Sequence, residues 1–298
     1  MNKKILILGG AGFIGFNLAK YLHENSNHSI TIADNFFRGQ MDDYLKKLLK
    51  APNINFIEGD FTDSEAYEAL DKDYDQCYML ASVVGVNNAL NIPSEIIRIN
   101  TLLIINTLEW LKVSQVGKVV FTSTSENYAG TIDNFGYKIP TPEDIPLTIV
   151  DISHPRYTYA VTKILGESAF LNYARAYDFE STIIRYHNVI GPRMGFKHVI
   201  PHLAERFLKN EEDPFLMYGH DQTRSFCYIT DAIEGTVMAM NSNKANQEIY
   251  HIGTQEEITI ENLIKESGKY FGYKGSYEAA PTFPGSTMRR CPDISKAK

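Results

Sequence analysis

A tyrosine and a lysine four residues apart, Tyr159 and Lys163, have the clearest chemical potential in this sequence. Residues at positions i and i+4 of a helix share one face. An ammonium group beside a phenol favours the phenolate, so we expect Lys163 to lower the pKa of Tyr159 from about 10 toward neutrality. Such a phenolate removes the proton of a hydroxyl while a hydride leaves the same carbon. The pair therefore predicts the oxidation of an alcohol.

A run of hydroxyl and carboxyl side chains follows the strand that the apolar pattern predicts over residues 118–122. The run is Ser123, Thr124, Ser125 and Glu126. Ligands of open α/β sheets bind at the carboxyl ends of the strands. We therefore expect Thr124, Ser125 and Glu126 to be catalytic together with Tyr159 and Lys163.

A glycine-rich segment separates the first predicted strand from the first predicted helix. Gly9, Gly12 and Gly15 have the spacing G-x-x-G-x-x-G, with Phe13 and Ile14 between the last two. Glycines at this spacing allow a tight turn and a close approach of the backbone to a pyrophosphate, and the helix N-terminus adds N–H groups and a positive dipole end. The segment predicts a dinucleotide site.

An aspartate at the end of the second predicted strand indicates which dinucleotide binds. Asp34 would accept hydrogen bonds from the adenosine ribose hydroxyls and would repel a 2′-phosphate, which favours NAD over NADP. Arg38, four residues later, would offset that charge. Asp60 and Phe61, after the third strand, are placed to meet the adenine.

Segments of strand length alternate with segments of helical period through the first 190 residues. Strands are predicted at 5–8, 29–33, 55–57, 77–81, 118–122 and 181–186, and helices at 12–22, 41–49, 64–70, 93–112 and 159–176. Thr62 and Glu65 have the spacing of a capping box for the 64–70 helix. Parallel strands need crossover connections, so the pattern predicts a doubly wound α/β parallel sheet, a Rossmann fold.

The pattern loosens after about residue 188. Helices are predicted at 199–208, 231–240 and 260–271, with short strands near 225–228 and 248–252. We expect an NAD-binding Rossmann domain at 1–188 and, at 189–298, mainly a smaller C-terminal substrate-binding lobe, some of whose segments return to the sheet.

Composition excludes several classes of partner. The 298 residues carry 29 basic and 36 acidic side chains, a net charge of −7, without the basic stripe that nucleic acid or an anionic membrane needs. The uncharged stretch 76–94 contains asparagines and a proline that would be unpaired in lipid, so it is not predicted to span a membrane. Cys77, Cys227 and Cys291 are isolated, which predicts reduced thiols in a cytoplasmic protein and no metal site.

These motifs together resemble the extended short-chain dehydrogenases/reductases of the nucleotide-sugar epimerase, dehydratase and decarboxylase family. The resemblance covers essentially the whole chain. It is carried by residues 9–15, Asp34-Asn35-Phe36, Gly59-Asp60, Leu80-Ala81-Ser82, residues 123–126 with Tyr128, residues 159–163, residues 185–193 (RYHNVIGPR), and Gln222-Thr223-Arg224 before Ile229-Thr230-Asp231.

The resemblance implies roles for individual residues. Tyr159 would be the base at the sugar C4 hydroxyl, Lys163 would hold the nicotinamide ribose, and Thr124 would bond the same hydroxyl. The cofactor residues would be Gly9, Gly12, Phe13, Ile14, Gly15, Asp34, Asn35, Arg38, Asp60, Phe61, Leu80, Ala81, Ser82, Asn100, Thr122, Tyr159 and Lys163. The substrate, a nucleotide-diphosphate sugar, would be held by Asn188, Arg193, Arg224 and Arg290.

The step after C4 oxidation stays open in the sequence. Members similar to dTDP-glucose 4,6-dehydratases have an aspartate where Ser125 stands, and a serine supplies a proton less readily. Glu126 would serve as a base at C5. Epimerisation, dehydration, decarboxylation of a uronic acid and release of a 4-keto sugar remain alternatives, in a pathway that the family context places in surface-polysaccharide synthesis. A non-catalytic NAD-binding scaffold is the alternative from another class.

The resemblance also implies a homodimer through the helices at 93–112 and 159–176. The first of these helices has more apolar positions than packing on the sheet alone would need, including Ile97, Leu103, Ile104 and Leu108. Asn127 and His187 depart from the family pattern, and His198 is expected to be structural or solvent-facing. The family generally continues through another helix beyond residue 294, so both a native short form and a missing tail fit the sequence.

Overall fold

The computed structural model describes residues 2–196, 198–282 and 286–298. Its strands are β1 (Lys4–Leu8), β2 (Ser29–Asp34), β3 (Ile54–Glu58), β4 (Gln76–Met79), β5 (Lys118–Thr124), β6 (Glu180–Tyr186), β7 (Val189–Ile190), β8 (Phe215–Tyr218), β9 (Thr223–Ser225), β10 (Cys227–Tyr228), β11 (Ile249–Ile252), β12 (Glu257–Thr259), β13 (Tyr277–Ala280) and β14 (Arg289–Arg290). Its α-helices are α1 (Phe13–Asn25), α2 (Asp43–Leu48), α3 (Val86–Asn91), α4 (Pro93–Val113), α5 (Ala129–Phe135), α6 (Thr158–Ala176), α7 (Val199–Lys209), α8 (Ile229–Asn241) and α9 (Ile260–Phe271).

The central sheet is parallel and has seven strands in the described chain, in the order β11-β6-β5-β4-β1-β2-β3. The strand order reverses between β1 and β4, which is the switch point where doubly wound sheets bind ligands. The seventh strand, β11, comes from beyond residue 188. The doubly wound Rossmann fold predicted from the sequence is confirmed.

Helices cover both faces of the sheet, and β1 shows why. Ile5 and Ile7 belong to the apolar cluster beneath α1 and α8, whereas Leu6 and Leu8 belong to the cluster beneath α4 and α6. All four side chains are fully buried. A strand buried on both faces is a continuous apolar run, as parallel sheets require.

The predicted helix at 64–70 is a 3₁₀ helix over Ser64–Ala69. Its cap differs from the expectation, because the Asp63 carboxylate, not the Thr62 hydroxyl, accepts the backbone N–H of Glu65 at 3.0 Å. Asp60 in turn accepts the N–H of Thr62. Two consecutive aspartate turns therefore use the backbone groups that a capping box would have used.

Residues after β6 build three small sheets beside the main one: β7 with β10, β8 with β13, and β12-β9-β14. A separate apolar cluster of α7, α9 and β8 residues supports them. In the third sheet β14 pairs with β9 in parallel, with Arg290 opposite Arg224. This register brings together two arginines that are far apart in sequence.

No helix in the described chain is long and apolar enough to cross a bilayer. The same residues contain no group of three or more His, Cys, Asp or Glu side chains arranged to hold a metal ion.

Candidate active site

A cleft of about 1550 Å³ opens at the carboxyl ends of the central strands, between the sheet and the smaller sheets. It is large for a single small molecule, since ligand pockets usually measure roughly 300–1,000 Å³. All five predicted catalytic residues line it: Thr124, Ser125, Glu126, Tyr159 and Lys163. The cleft therefore has room for a dinucleotide and a second ligand.

Tyr159 and Lys163 lie one turn apart on α6 and face the end of β5. The Lys163 Nζ donates a hydrogen bond of 2.8 Å to the Thr122 carbonyl and lies 5.8 Å from the centre of the Tyr159 ring. The Thr124 hydroxyl lies near enough to the Tyr159 phenol to lower its pKa. The structure thus brings the base, the ammonium and the threonine hydroxyl together at one strand end.

The electrostatics of this pair differ from the expectation. Burial raises the pKa of Tyr159, the charge of Glu126 raises it further, and Thr124 and Arg38 lower it only in part. Burial lowers the pKa of Lys163 to about 7, against an opposing effect of Glu167. The Lys163 ammonium alone therefore does not lower the pKa of Tyr159 to neutrality, because desolvation disfavours both the phenolate and the ammonium.

Glu126 forms an ion pair inside the cleft. Its Oε1 accepts a hydrogen bond of 2.6 Å from Arg290 Nη1, and the Arg290 side chain is 9% exposed. Burial raises the pKa of Glu126, but the charges of Arg290, Arg156 and Arg224 outweigh it and leave the pKa below its usual value. Glu126 therefore favours the ionised carboxylate, which pairs with Arg290 and feels the charges of Arg156 and Arg224.

The glycine turn forms the opposite end of the cleft. A Cβ on Gly15 would lie 2.4 Å from the Gly9 carbonyl oxygen, and one on Gly9 would lie 2.6 Å from the Ala81 nitrogen. Gly9 also has φ of +81°. Side chains at these positions would displace the backbone that turns from β1 into α1.

Asp34 is fixed by this turn. Its two carboxylate oxygens accept the backbone N–H groups of Ala11 at 3.0 Å and Phe36 at 2.8 Å. Burial raises its pKa, and these N–H groups oppose the rise. The Arg38 guanidinium lies against Gly195, and burial together with the charge of Arg38 lowers the pKa of His198. Its contacts are thus with the loop that precedes α7.

Unpaired polar atoms in the cleft fit a phosphate-bearing dinucleotide. Ser82 Oγ and Arg193 Nη1 are buried without a hydrogen-bond partner among the described residues, and both residues line the cleft. Arg193 is held by Asp42, which accepts its Nε at 3.0 Å. Buried polar atoms of this kind are expected to find partners, and phosphate or ribose oxygens supply them.

Most of the predicted cofactor residues lie on the wall of the cleft. These are Gly9, Gly12, Phe13, Ile14, Gly15, Asp34, Asn35, Arg38, Asp60, Phe61, Leu80, Ala81, Ser82, Thr122, Tyr159 and Lys163. Asn100 lies behind the wall, where its amide bonds both backbone groups of Val83 and the Thr162 hydroxyl. It positions the loop after β4 against α6.

The structure places the four predicted substrate residues in three different locations. Asn188 and Arg290 line the cleft, and Asn188 donates to the Ser225 carbonyl at 3.0 Å. Arg193 lines the end beside α1, with its guanidinium 4.0 Å from the centre of the Phe16 ring. Arg224 is behind the wall and donates to the Thr223 carbonyl and to Gln222.

Several cleft residues escaped the sequence prediction, among them two basic side chains. Arg156 and His198 both line the cleft, although His198 was expected to be structural or solvent-facing. Arg156 stands three residues before Tyr159, at helical spacing, and that spacing was the available signal. His198 precedes α7 and had no distinguishing pattern.

Comparison with known proteins agrees with this geometry. The model of the NAD dependent epimerase/dehydratase family matches residues 5–253. The chain is 36% identical over 273 residues to a UDP-N-acetyl-alpha-D-glucosaminuronate decarboxylase of Bacillus cytotoxicus, covering 89% of this chain and 79% of that protein. It is 31% identical over 301 residues to UDP-glucuronic acid decarboxylase 3 of Arabidopsis thaliana, covering 100% of this chain and 83% of the relative.

Solved structures give the same result. The UDP-glucuronic acid 4-epimerase of Bacillus cereus, in complex with UDP-glucuronic acid and NAD, superposes with a TM-score of 0.85 and 28% identity, covering 99% of this chain and 91% of the other. The glycine turn, the Tyr159–Lys163 pair and these matches lead to one conclusion: the chain is an NAD-dependent enzyme of the epimerase/dehydratase family.

Proposed function

We propose that this enzyme oxidises C4 of a nucleotide-diphosphate sugar and that a uronic acid is the sugar. The observation that carries the first part is the meeting of Thr124, Tyr159 and Lys163 at the end of β5, in one cleft with the glycine turn. Tyr159, as the phenolate, takes the C4 hydroxyl proton, and Thr124 orients that hydroxyl. The protonated form of Lys163 favours this phenolate against the burial that raises the pKa of Tyr159. NAD held at the glycine turn and Asp34 would supply a reversible hydride acceptor for C4.

The second part rests on the charge around Glu126. Arg156, Arg224 and Arg290 all lower the pKa of this one carboxylate. Arg156 and Arg290 both line the cleft, and one carboxylate neutralises only one of these two cations, so this part of the cleft favours a further anion. Guanidinium groups suit a carboxylate especially well. We therefore assign this anion to the C6 carboxylate of the sugar.

A C4 ketone makes such a sugar a β-keto acid. Its C5–C6 bond can break with loss of carbon dioxide, which leaves the electron pair in the enolate of the ketone until C5 takes up a proton. The relatives in B. cytotoxicus and A. thaliana are named as uronic acid decarboxylases. Ser125 disfavours dehydration, because a buried hydroxyl replaces the acid that would protonate a leaving C6 hydroxyl. We therefore propose decarboxylation as the outcome.

Mass spectrometry with a panel of UDP-, GDP-, CDP- and dTDP-sugars tests this proposal. We expect UDP-uronic acids to lose carbon dioxide and dTDP-glucose to remain largely unchanged. Loss of two hydrogens would instead identify a released 4-keto sugar, and an unchanged mass with altered NMR couplings would identify an epimerase. If no sugar changes and no NADH forms, the proposal fails and a non-catalytic NAD-binding role is favoured.

Cofactor choice gives a prediction about Asp34. The wild type is expected to bind NAD at least roughly tenfold more tightly than NADP, because the carboxylate would face the 2′-phosphate. Asp34→Ser should narrow that ratio by weakening NAD binding. Fluorescence titration with NADH and NADPH measures both affinities. Tighter NADPH binding by the wild type would show that the placement of Asp34 against the ribose is wrong.

We also propose a homodimer through α4 and α6. Of the four residues cited from the sequence, Leu103, Ile104 and Leu108 are buried, because α4 packs on both the sheet and α6, and Ile97 alone is exposed. The outer faces of the two helices instead expose Ile97, Ile105, Val161 and Leu165, by 36–48%. Neighbouring apolar side chains at helical spacing favour contact with a second copy.

Leu165→Glu tests the dimer. The variant is expected to be monomeric, since the charge would be buried unpaired between the copies. Met238→Glu is the matched control, because Met238 is an exposed apolar residue of α8, remote from α4 and α6. Light scattering at micromolar concentration should show a dimer for the wild type and the control. A monomeric wild type would exclude the proposed assembly.

Two further proposals have indirect support. The domain division at residues 188/189 rests on the small sheets that follow β6. A cytoplasmic location rests on Cys77, Cys227 and Cys291, which are unpaired thiols in the structure.

A further inference from the structure

A buried carboxylate, Glu167, lies behind the residues that line the cleft. Its side chain is 5% exposed and accepts four hydrogen bonds. The donors are Ser123 Oγ at 2.5 Å, Asn127 Nδ2 at 2.9 Å, and Arg185 Nε and Nη2 at 2.8 and 2.6 Å. A buried carboxylate with this many charge-assisted partners is held in one position.

Glu167 lies on the same face of α6 as the catalytic pair. Tyr159, Lys163 and Glu167 are spaced by four residues, at successive turns of the helix. Its partners Ser123 and Asn127 immediately flank the segment 124–126 in sequence. One side chain thus connects the helix that carries the base to the strand end that carries Thr124 and Glu126.

Asn127 gives independent support for this connection. Its amide nitrogen donates to Glu167 Oε1 and, at 3.1 Å, to Ser123 Oγ. Its amide oxygen is buried without a partner among the described residues. An unpaired buried acceptor costs free energy, so the two donated bonds decide the orientation of this amide. The asparagine that departs from the family pattern is therefore a donor to Glu167.

Arg185 balances the buried charge and anchors the cluster to the sheet. It lies on β6, and besides Glu167 it donates to the Glu143 carbonyl at 2.9 Å and to the Tyr128 hydroxyl. The Tyr128 hydroxyl also bonds His251 Nε2 of β11 at 2.7 Å. The cluster is tied to two strands, so Glu167 cannot shift without disturbing both.

We propose that Glu167 is a positioning residue, which acts through Ser123 and Asn127 to hold Thr124 and Glu126 at their working distance from Tyr159. The proposal rests on the proposed function, because it concerns the geometry of that reaction. Glu167 itself does not line the cleft and acts only through residues that do or that flank them. Its loss should therefore lower kcat more than it changes KM, since misplacement by about 1 Å can reduce a rate by roughly 10²-fold.

The experiment removes the Asn127 amide that donates to Glu167 and keeps the Glu167–Arg185 ion pair. Glu167→Gln would leave Arg185 buried without its countercharge, and unfolding would then obscure the result. Asn127→Leu retains the size of the side chain and the Glu167–Arg185 pair. Thr107→Val is the matched control, because the Thr107 hydroxyl is fully buried in α4, bonds Tyr67 at 2.7 Å, and has no contact with the cleft.

We expect Asn127→Leu to lower kcat roughly tenfold or more with KM and NAD affinity within about twofold of wild type. Thr107→Val should lose thermal stability and keep its kcat. Hydrogen exchange on the NAD-bound proteins gives a readout that needs no substrate. Amides of residues 123–128 should exchange faster in Asn127→Leu than in Thr107→Val.

The two proposals fail in different ways. A wild type that converts no nucleotide sugar would refute the proposed function, and exchange at residues 123–128 would still decide whether Asn127 holds the segment. Wild-type exchange in Asn127→Leu, or a wild-type kcat where the enzyme is active, would overturn the positioning role of Glu167. A rise in KM without a fall in kcat would also overturn it.

Discussion

Tyr159→Phe is expected to reduce C4 oxidation by roughly 10³-fold or more, since positioned proton transfer contributes about 10²–10⁴-fold to a rate. The substitution removes only the phenolic oxygen. The ring remains beside Lys163, whose Nζ keeps its bond to the Thr122 carbonyl. NAD binding should therefore stay close to that of the wild type.

Stopped-flow absorbance at the NADH band, with a UDP-uronic acid at saturation, measures this loss. Lys163→Ala is the informative companion, because it should weaken both NAD binding and turnover. Substantial turnover by the Tyr159→Phe variant with any accepted substrate would place the base on another residue. Equal loss of NAD affinity in both variants would show that Tyr159 acts mainly in cofactor binding.

Arg290→Gln is expected to separate oxidation from the loss of carbon dioxide. The guanidinium holds Glu126 and faces the assigned position of the sugar carboxylate. Misplacing the reacting carboxylate by about 1 Å can lower a rate by roughly 10²-fold. We expect that loss in carbon dioxide release, with a smaller effect on the formation of NADH, so a 4-keto uronic acid should accumulate.

Arg289→Gln is the matched control for this variant. Arg289 is the neighbouring residue of β14, but its side chain is 48% exposed and pairs with Glu257 instead of Glu126. The control should release carbon dioxide at the wild-type rate. The product of each variant is identified by mass spectrometry. An Arg290→Gln variant that releases carbon dioxide as fast as the wild type would show that Arg290 has no role in decarboxylation.

Much of the site could be predicted from local patterns. The glycine turn, Asp34 and the Tyr159–Lys163 pair all line one cleft, because each follows directly from a strand or helix that the apolar period identifies. The prediction was weaker after β6. There the strands have only two to four residues, too short for a period to define, and the pairing of β9 with β12 and β14 depends on tertiary contacts.

Some predicted roles changed because charges act over space and not along the sequence. The pKa of Tyr159 was expected to fall beside Lys163, yet burial raises it and lowers that of the lysine. Arg193 remains a predicted substrate residue, and the structure pairs it with Asp42 beside the glycine turn. Neither result follows from spacing, since both depend on which groups the fold desolvates and brings together.

The sequence by itself determined the class of fold and located the dinucleotide turn and the candidate base, because these follow from periods of two and 3.6 residues and from motifs within one element. Only the tertiary structure decided what surrounds them. Glu126 and Arg290 are 164 residues apart in the chain, and Ser123 and Glu167 are 44 apart. Such pairs exist because the strand order and the packing of α6 and β14 place them in contact, and no local pattern encodes that distance.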